Sequence, residues 1–373
     1  MTIIEKIHAE LATVSDPELR RPLPDLGMVE SVSFESGRAD VKILLTISGC
    51  PMRDRLQKDV ESALSRIPEI TRVVIDFGVM NEEQRNKVKK ILHGGVEKFI
   101  PFAQPDSLTR VIGIASGKGG VGKSSLTVNL AVAAAKRGLK VGILDADVYG
   151  HSVPRLMNLV GQRPTAIDQT FIPLESNGVK VVSMEMFKPD RADPVAYRGP
   201  LLHRVLEQLL SDAYWGDLDL LLLDLPPGTG DIAISLGQLI PASEILVVTT
   251  PQVAAAEVAE RAGRIAHQLK QHIVGVVENM SDINCPNCGQ SISLFGSGGG
   301  KETASRLSDL VGADVPLLAS VPFDPALREG GDGGEPIVLS HPESHSAVAI
   351  YSIVDQLMKQ RKSLVGVPLS LHT

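Results

Sequence analysis

Aromatic side chains are scarce, at 3% of 373 residues with a single tryptophan, which disfavours a platform on which nucleic-acid bases stack. Cysteine is scarcer still. Three in a chain of this length cannot make a disulfide framework. Positive charge is not in excess either: 37 Lys and Arg stand against 44 Asp and Glu, a net charge of −7. An acidic chain is a poor general binder of nucleic acid or of anionic membrane, so neither is expected as a partner. No uncharged apolar run approaches the roughly 20 residues that span a bilayer. The opening run, Met1-Thr2-Ile3-Ile4-Glu5-Lys6, carries charge where a signal peptide needs an apolar core. These absences point to a cytoplasmic protein whose thiols serve as metal ligands or nucleophiles.

What is present divides the chain into regions. Residues 1–80 alternate helix, strand, strand, helix and strand, a small α+β domain. Within it Ile3 to Ala12 and Met52 to Arg66 have helical periodicity. Gly27 to Phe34, Ala39 to Ile47 and Thr71 to Phe77 alternate as strands, the first two joined by a turn at Glu35-Ser36-Gly37-Arg38. Residues 81–108 open with the polar run Asn81 to Lys90, which suits a solvated helix, are then broken by Pro101 and Pro105, and are expected to be a linker. From 109 to 361, near-continuous apolar runs recur at Val111–Ala115, Val141–Leu144, Leu218–Leu223, Ile245–Thr249, Ile273–Val277 and Leu317–Val321. Such runs, separated by helical patterns, predict a doubly wound α/β domain with a mostly parallel sheet and ligands at its strand ends. Residues 362–373 are expected to be a tail.

Gly117-Lys118-Gly119-Gly120-Val121-Gly122-Lys123-Ser124 fits G-x-x-x-x-G-K-[ST] between a predicted strand and a predicted helix, the context that distinguishes a phosphate loop. Its backbone N–H groups and the helix N-terminus suit the phosphates of a nucleoside triphosphate such as ATP. Lys123 should meet the β- and γ-phosphates and Ser124 should ligate Mg²⁺, with Ser125 a further candidate. Lys118 lies near the phosphates but cannot easily fold back onto its own nucleotide; a solvated lysine is the bland reading. Asp145 and Asp147 end the next strand, and Asp224 ends another, followed by Pro226-Pro227-Gly228. A carboxylate so placed organises Mg²⁺, and the Gly228 N–H is placed to sense a γ-phosphate. Asp145 suits a structural role equally well. Asn279 ends a further strand and can read an adenine edge, or merely make a turn.

Cys285-Pro286-Asn287-Cys288 supplies two thiolates at chelating spacing. A symmetric homodimer would bring four to its axis, enough for a [4Fe–4S] cluster. Zinc fits the same ligands, and a redox pair is a third reading. Cys50, between a strand and a helix N-terminus, is a possible accessory thiol; a partly buried bystander is the alternative.

The run Gly117 to Ser124 resembles the deviant Walker A ATPases, the group of nitrogenase iron protein, MinD and ParA. The resemblance implies a dimer in which Lys118 reaches the partner's nucleotide, Asp147 orients the attacking water, and Asp224 serves the metal. With Asp145-Ala146-Asp147-Val148-Tyr149-Gly150, Asp224 to Asp231, Cys285 to Gly289 and Val321-Pro322-Phe323-Asp324-Pro325, the chain is similar to the Mrp/ApbC branch, ATP-dependent carriers of iron–sulfur clusters. His151 departs from the proline common at that place in the family. Asp16-Pro17-Glu18, Leu26-Gly27-Met28-Val29 and Ser48-Gly49-Cys50-Pro51 resemble a small iron–sulfur assembly domain. Cluster donors and apo iron–sulfur proteins are the partners this implies, and slow ATP hydrolysis coupled to cluster transfer the activity. A positioning ATPase of the MinD or ParA kind, or a zinc-stapled ATP-binding regulator, are the competing readings.

Overall fold

A computed structural model describes residues 2–46, 52–92, 99–148, 150–167, 170–188, 199–228, 230–284 and 287–359. They fall into two compact units. Met1–Phe99, Pro164–Pro173 and Ser211–Gly216 make the first, and the remainder makes the second.

The first unit opens with α1 (Ile3–Leu11), started by a capping box in which Thr2 and Glu5 satisfy each other's backbone N–H groups. Strands β1 (Val29–Glu35) and β2 (Arg38–Leu45) form a hairpin. Its turn residues Ser36 and Gly37 both have positive φ, at 48° and 83°, matching the twist of the strands. After the crossover helix α2 (Arg53–Leu64), β3 (Arg72–Val79) pairs parallel to β2. Ile7, Leu11, Val41, Ile43, Leu56 and Val60 close the core between them.

The expected linker is not one at its start. Glu82–Leu92 forms α3, whose Val88 and Leu92, four residues apart, are buried in this same core. Two apolar residues behind a Lys- and Glu-rich face are too thin a stripe to stand out in composition.

The second unit begins with β4 (Arg110–Ser116), α4 (Lys123–Lys136), β5 (Val141–Asp145) and the short α5 (Val153–Leu156). The chain then returns to the first unit in a hairpin, β6 (Thr165–Ile167) and β7 (Thr170–Ile172). Ile167, Ile172 and Tyr214 join the first unit's core. Phe171 exchanges backbone bonds with the 211–216 segment (Phe171 N–H to Asp212 O at 2.9 Å, Tyr214 N–H to Phe171 O at 2.8 Å). Thr165 donates to Glu18 at 3.0 Å. Segments far along the chain therefore complete the small unit.

The second unit continues with β8 (Leu174–Ser176), β9 (Val179–Ser183), α6 (Gly199–Ser211), β10 (Leu220–Asp224), α7 (Asp231–Leu239), β11 (Glu244–Thr249), α8 (Val253–Gln268) and β12 (Ile273–Asn279). A small hairpin follows, β13 (Ile283–Asn284) and β14 (Ser291–Ile292), then α9 (Gly299–Val311), β15 (Leu317–Val321), α10 (Pro325–Gly333), α11 (Ile337–Ser340) and α12 (His345–Lys359). The main sheet runs β15-β12-β11-β4-β10-β5-β9-β8, parallel except for the β8–β9 pair. This is the α/β architecture expected, widened by β8 and β9, which the sequence reading passed over. The chain leaves β4 toward β5 on one side and passes from β10 to β11 on the other, so the loop after β4 lies at a topological switch point. Among the described residues no helix is long and apolar enough to cross a membrane.

A chain beginning at Ile100 should strand the apolar side of the β6–β7 hairpin. We expect it to melt at lower temperature and to elute as aggregates, where the full chain elutes as a discrete species. A soluble truncated chain with an unchanged melting temperature would contradict the composite core.

Candidate functional site

The loop from Gly117 to Gly122 joins β4 to α4, and two of its glycines are demanded by what surrounds them. A Cβ on Gly117 would overlap the backbone of Val258 in α8. Gly122 has φ of 78°, and a Cβ there would overlap the Asn279 side-chain amide. Gly120, also at φ of 78°, turns the loop; Gly119 and Val121 complete it, Val121 buried.

Lys123 begins α4 and points into the sheet. Its Nζ lies 2.6 Å from Asp224 Oδ1, with the lysine side chain 7% exposed and the aspartate fully buried. Ser124 Oγ donates to Asp224 Oδ2 at 2.6 Å, and Thr127 Oγ1 donates to Oδ1 at 3.0 Å. Asp224 reaches this point because β10 pairs with β4 and places its last residue beside the loop. Thr127 is a contact that the sequence reading missed. Its one visible signal is position, one helical turn after Lys123.

Asp145 lies opposite Asp224 in the β5–β10 register. Burial, then the neighbouring Asp224 charge, push its carboxyl well above the ordinary carboxylate range. It accepts the backbone N–H of Asp147 at 3.2 Å and of Val153 at 3.4 Å, and the Ser183 hydroxyl at 3.1 Å. These bonds give Asp145 the structural role that sequence alone left open. Asp147 itself is half-buried and accepts the Gly150 N–H at 2.9 Å, which fixes its own turn. Asp231 is the first residue of α7.

Lys118 Nζ donates to Gln252 Oε1 at 2.7 Å, at the start of α8. Gly228, at φ of 88°, donates its N–H to the Ser116 carbonyl at 2.8 Å, tying the loop after β10 to the end of β4. Asn279 is buried, and its Nδ2 donates to Val121 O at 2.9 Å. It thus clamps the phosphate-type loop from the strand next but one. One donor and the acceptor of the amide remain for other partners. Beside it opens a cavity of about 190 Å³, lined by Gly122, Ser125, Asn279, Met280, Pro322, Phe323, Asp324 and Arg328 among others. Ser125 belongs to this cavity wall. In the sequence, 322–324 stood out only as part of the run Val321 to Pro325 that carries the family resemblance, with no site role attached.

Cys288 lies between β13 and β14, a hairpin that pairs Ile283 with Ile292 and Asn284 with Ser291. Cys288 is exposed and unbridged. Cys285 lies outside the described residues, as does Cys50. Among the described residues no group of three or more His, Cys, Asp or Glu side chains could hold a metal ion.

A glycine loop at a switch point, a buried lysine on the helix that follows, and a strand-end carboxylate beside them define a P-loop NTPase. Comparison with known proteins gives the family. Residues 107–358 match the NUBPL iron-transfer P-loop NTPase model, and residues 4–76 match the iron–sulfur cluster assembly protein model. The chain belongs to this family of iron-transfer P-loop NTPases. An iron–sulfur cluster carrier protein from Mycobacterium tuberculosis is 54% identical over 367 residues, covering 98% of this chain and 96% of the relative. One from Deinococcus radiodurans is 39% identical, covering 94% and 93%. Among solved structures, a nucleotide-binding protein from Archaeoglobus fulgidus in complex with ADP superimposes with a TM-score of 0.53. It is 36% identical and covers 64% of this chain and 90% of its own.

Lys123→Ala should leave the Asp224 carboxylate buried without its cation and cost about 3 kcal/mol of folding stability by urea unfolding. Adding Asp224→Asn should restore part of that loss. Additive costs in the double variant would show that the pair is not coupled.

Proposed function

We propose that the chain is an ATP-hydrolysing carrier that holds a [4Fe–4S] cluster between two copies of itself and delivers it to apoproteins. One observation carries this reading: the clamp from Asn279 to the Val121 carbonyl joins the phosphate-type loop to the strand leading into the thiol hairpin. The hairpin starts four residues after Asn279, so a shift of the loop is transmitted to the thiols along one short stretch of chain.

In this reading the backbone of Gly117 to Ser124 cradles the phosphates of ATP, and Lys123 exchanges Asp224 for phosphate oxygens. The neighbouring oxygens of Ser124 and Asp224 are hard donors of the kind Mg²⁺ takes, and these two residues would hold it. Bound there, Mg²⁺ supplies charge neutralisation on the β- and γ-phosphates. Asp147 orients the attacking water, and Gly228 turns its N–H from Ser116 to the γ-phosphate. Lys118 leaves Gln252 for the nucleotide of the second copy. The cavity beside Asn279 receives the base. Hydrolysis is slow and coupled to release of the cluster, which Cys285 and Cys288 of each copy hold together. Cluster donors and apo iron–sulfur proteins are the partners.

Two measurements test this. Anaerobic reconstitution should give about four iron and four sulfide per dimer with visible charge-transfer absorption, and Cys285→Ala with Cys288→Ala should abolish both. Stoichiometric zinc with no sulfide would refute the cluster. Separately, Lys118→Ala and Asp147→Ala should each lower ATP hydrolysis by about 10³-fold. Mixing the two should recover about a quarter of wild-type activity, because half the dimers are mixed and each has one intact site. No recovery on mixing would place Lys118 in its own site.

A further inference from the structure

The hairpin that carries Cys288 also displays two aliphatic side chains that this chain leaves uncovered. Ile292 is 43% exposed and Leu294 is 53% exposed. Their exposure follows from local chemistry. Asp282 accepts the Ser291 hydroxyl at 2.9 Å and the Ser293 hydroxyl at 2.7 Å, one on each carboxylate oxygen. These two bonds hold the carboxyl of Asp282 below the ordinary range, so it stays charged and keeps both serines on its side. Successive side chains of a strand point to opposite faces, so Ile292, next to Ser291 in β14, is turned away from Asp282 toward solvent, and Leu294 stands exposed in the turn that follows. Phe295, next in line, is half-buried and meets Phe323, with ring centroids 6.2 Å apart, which anchors the far end of the segment.

The device presents an apolar pair beside an exposed thiol, on a hairpin of two-residue strands too short to bury anything itself. The thiol side is also incomplete for a cluster, since the C-x-x-C run supplies two thiolates per chain and a [4Fe–4S] cluster takes four. An occupant must therefore bring both further thiolates and an apolar surface of its own. The same hairpin in a second copy of this chain brings both, and a two-fold contact sets the same patch against itself. We infer that Ile292 and Leu294 form an apolar collar that closes over the shared sulfur site when two copies meet. The collar strengthens the dimer and shields the cluster from water and chelators. It rests on the reading of a cluster held between two copies, and adds the residues that seal it.

The test is a full-length Ile292→Ser, Leu294→Ser variant, reconstituted anaerobically beside the wild type. Both positions are exposed, and unchanged ATP binding checks that the variant is folded. Iron per chain, dimer mass by light scattering during dilution, and bleaching of the visible absorption by a ferrous chelator are then compared. We expect the variant dimer to dissociate at about tenfold higher protein concentration and its absorption to bleach about tenfold faster. Equal dissociation and bleaching in the two proteins would overturn the collar while leaving the shared cluster standing. A variant with a wild-type dimer and wild-type bleaching that fails only in passing its cluster to an acceptor apoprotein would assign the pair to the client, and also overturn it. A wild-type chain that takes up no iron would remove the shared cluster and the collar together.

Discussion

The second unit is organised around one buried ion pair, Lys123 with Asp224, and the two hydroxyls that share the carboxylate. An ion pair taken out of water seldom adds more stability than apolar residues of the same size would. Its presence at the centre of the sheet therefore answers to chemistry. Lysine, carboxylate and the Ser124 hydroxyl together form a set that phosphate oxygens and a hard cation can enter by exchange of partners. The surroundings keep that set in register. The approach of α8 allows no side chain at position 117, and Asp145, whose carboxyl is held by burial well above the ordinary carboxylate range, fixes the turn of Asp147 by accepting its backbone N–H.

The same economy of contacts joins the nucleotide loop to the sulfur hairpin. Asn279 is the last residue of a strand two positions from β4 in the sheet, yet its amide reaches the Val121 carbonyl. The chain that leaves it is secured once more when the Ser281 N–H donates to Val321 O at 3.0 Å, before entering the hairpin.

The small unit has a different logic. Fewer than a hundred residues of α+β structure bury a modest core, and this one takes in Ile167, Ile172 and Tyr214 from later in the chain. Its boundary is a matter of which apolar side chains pack together, and the linear order of domains does not express that. The helix Glu82–Leu92 belongs to it for the same reason, through Val88 and Leu92.

Sequence alone was sufficient wherever a function demands unusual local backbone or a fixed spacing. The glycines of 117–122, the lysine and serine that follow and the carboxylates at strand ends are of this kind, because few residue types satisfy those demands. The large parallel sheet was legible for a related reason, since strands buried on both faces must be apolar throughout. Tertiary structure alone decided that Asp224 holds Lys123, Ser124 and Thr127 at once, that Lys118 rests on Gln252, that Asn279 grips Val121, and that Ile292 turns away from Asp282. The first three join residues more than ninety positions apart, and only the order in which strands pair brings them within hydrogen-bond reach. The last depends on which of two faces a carboxylate has already claimed.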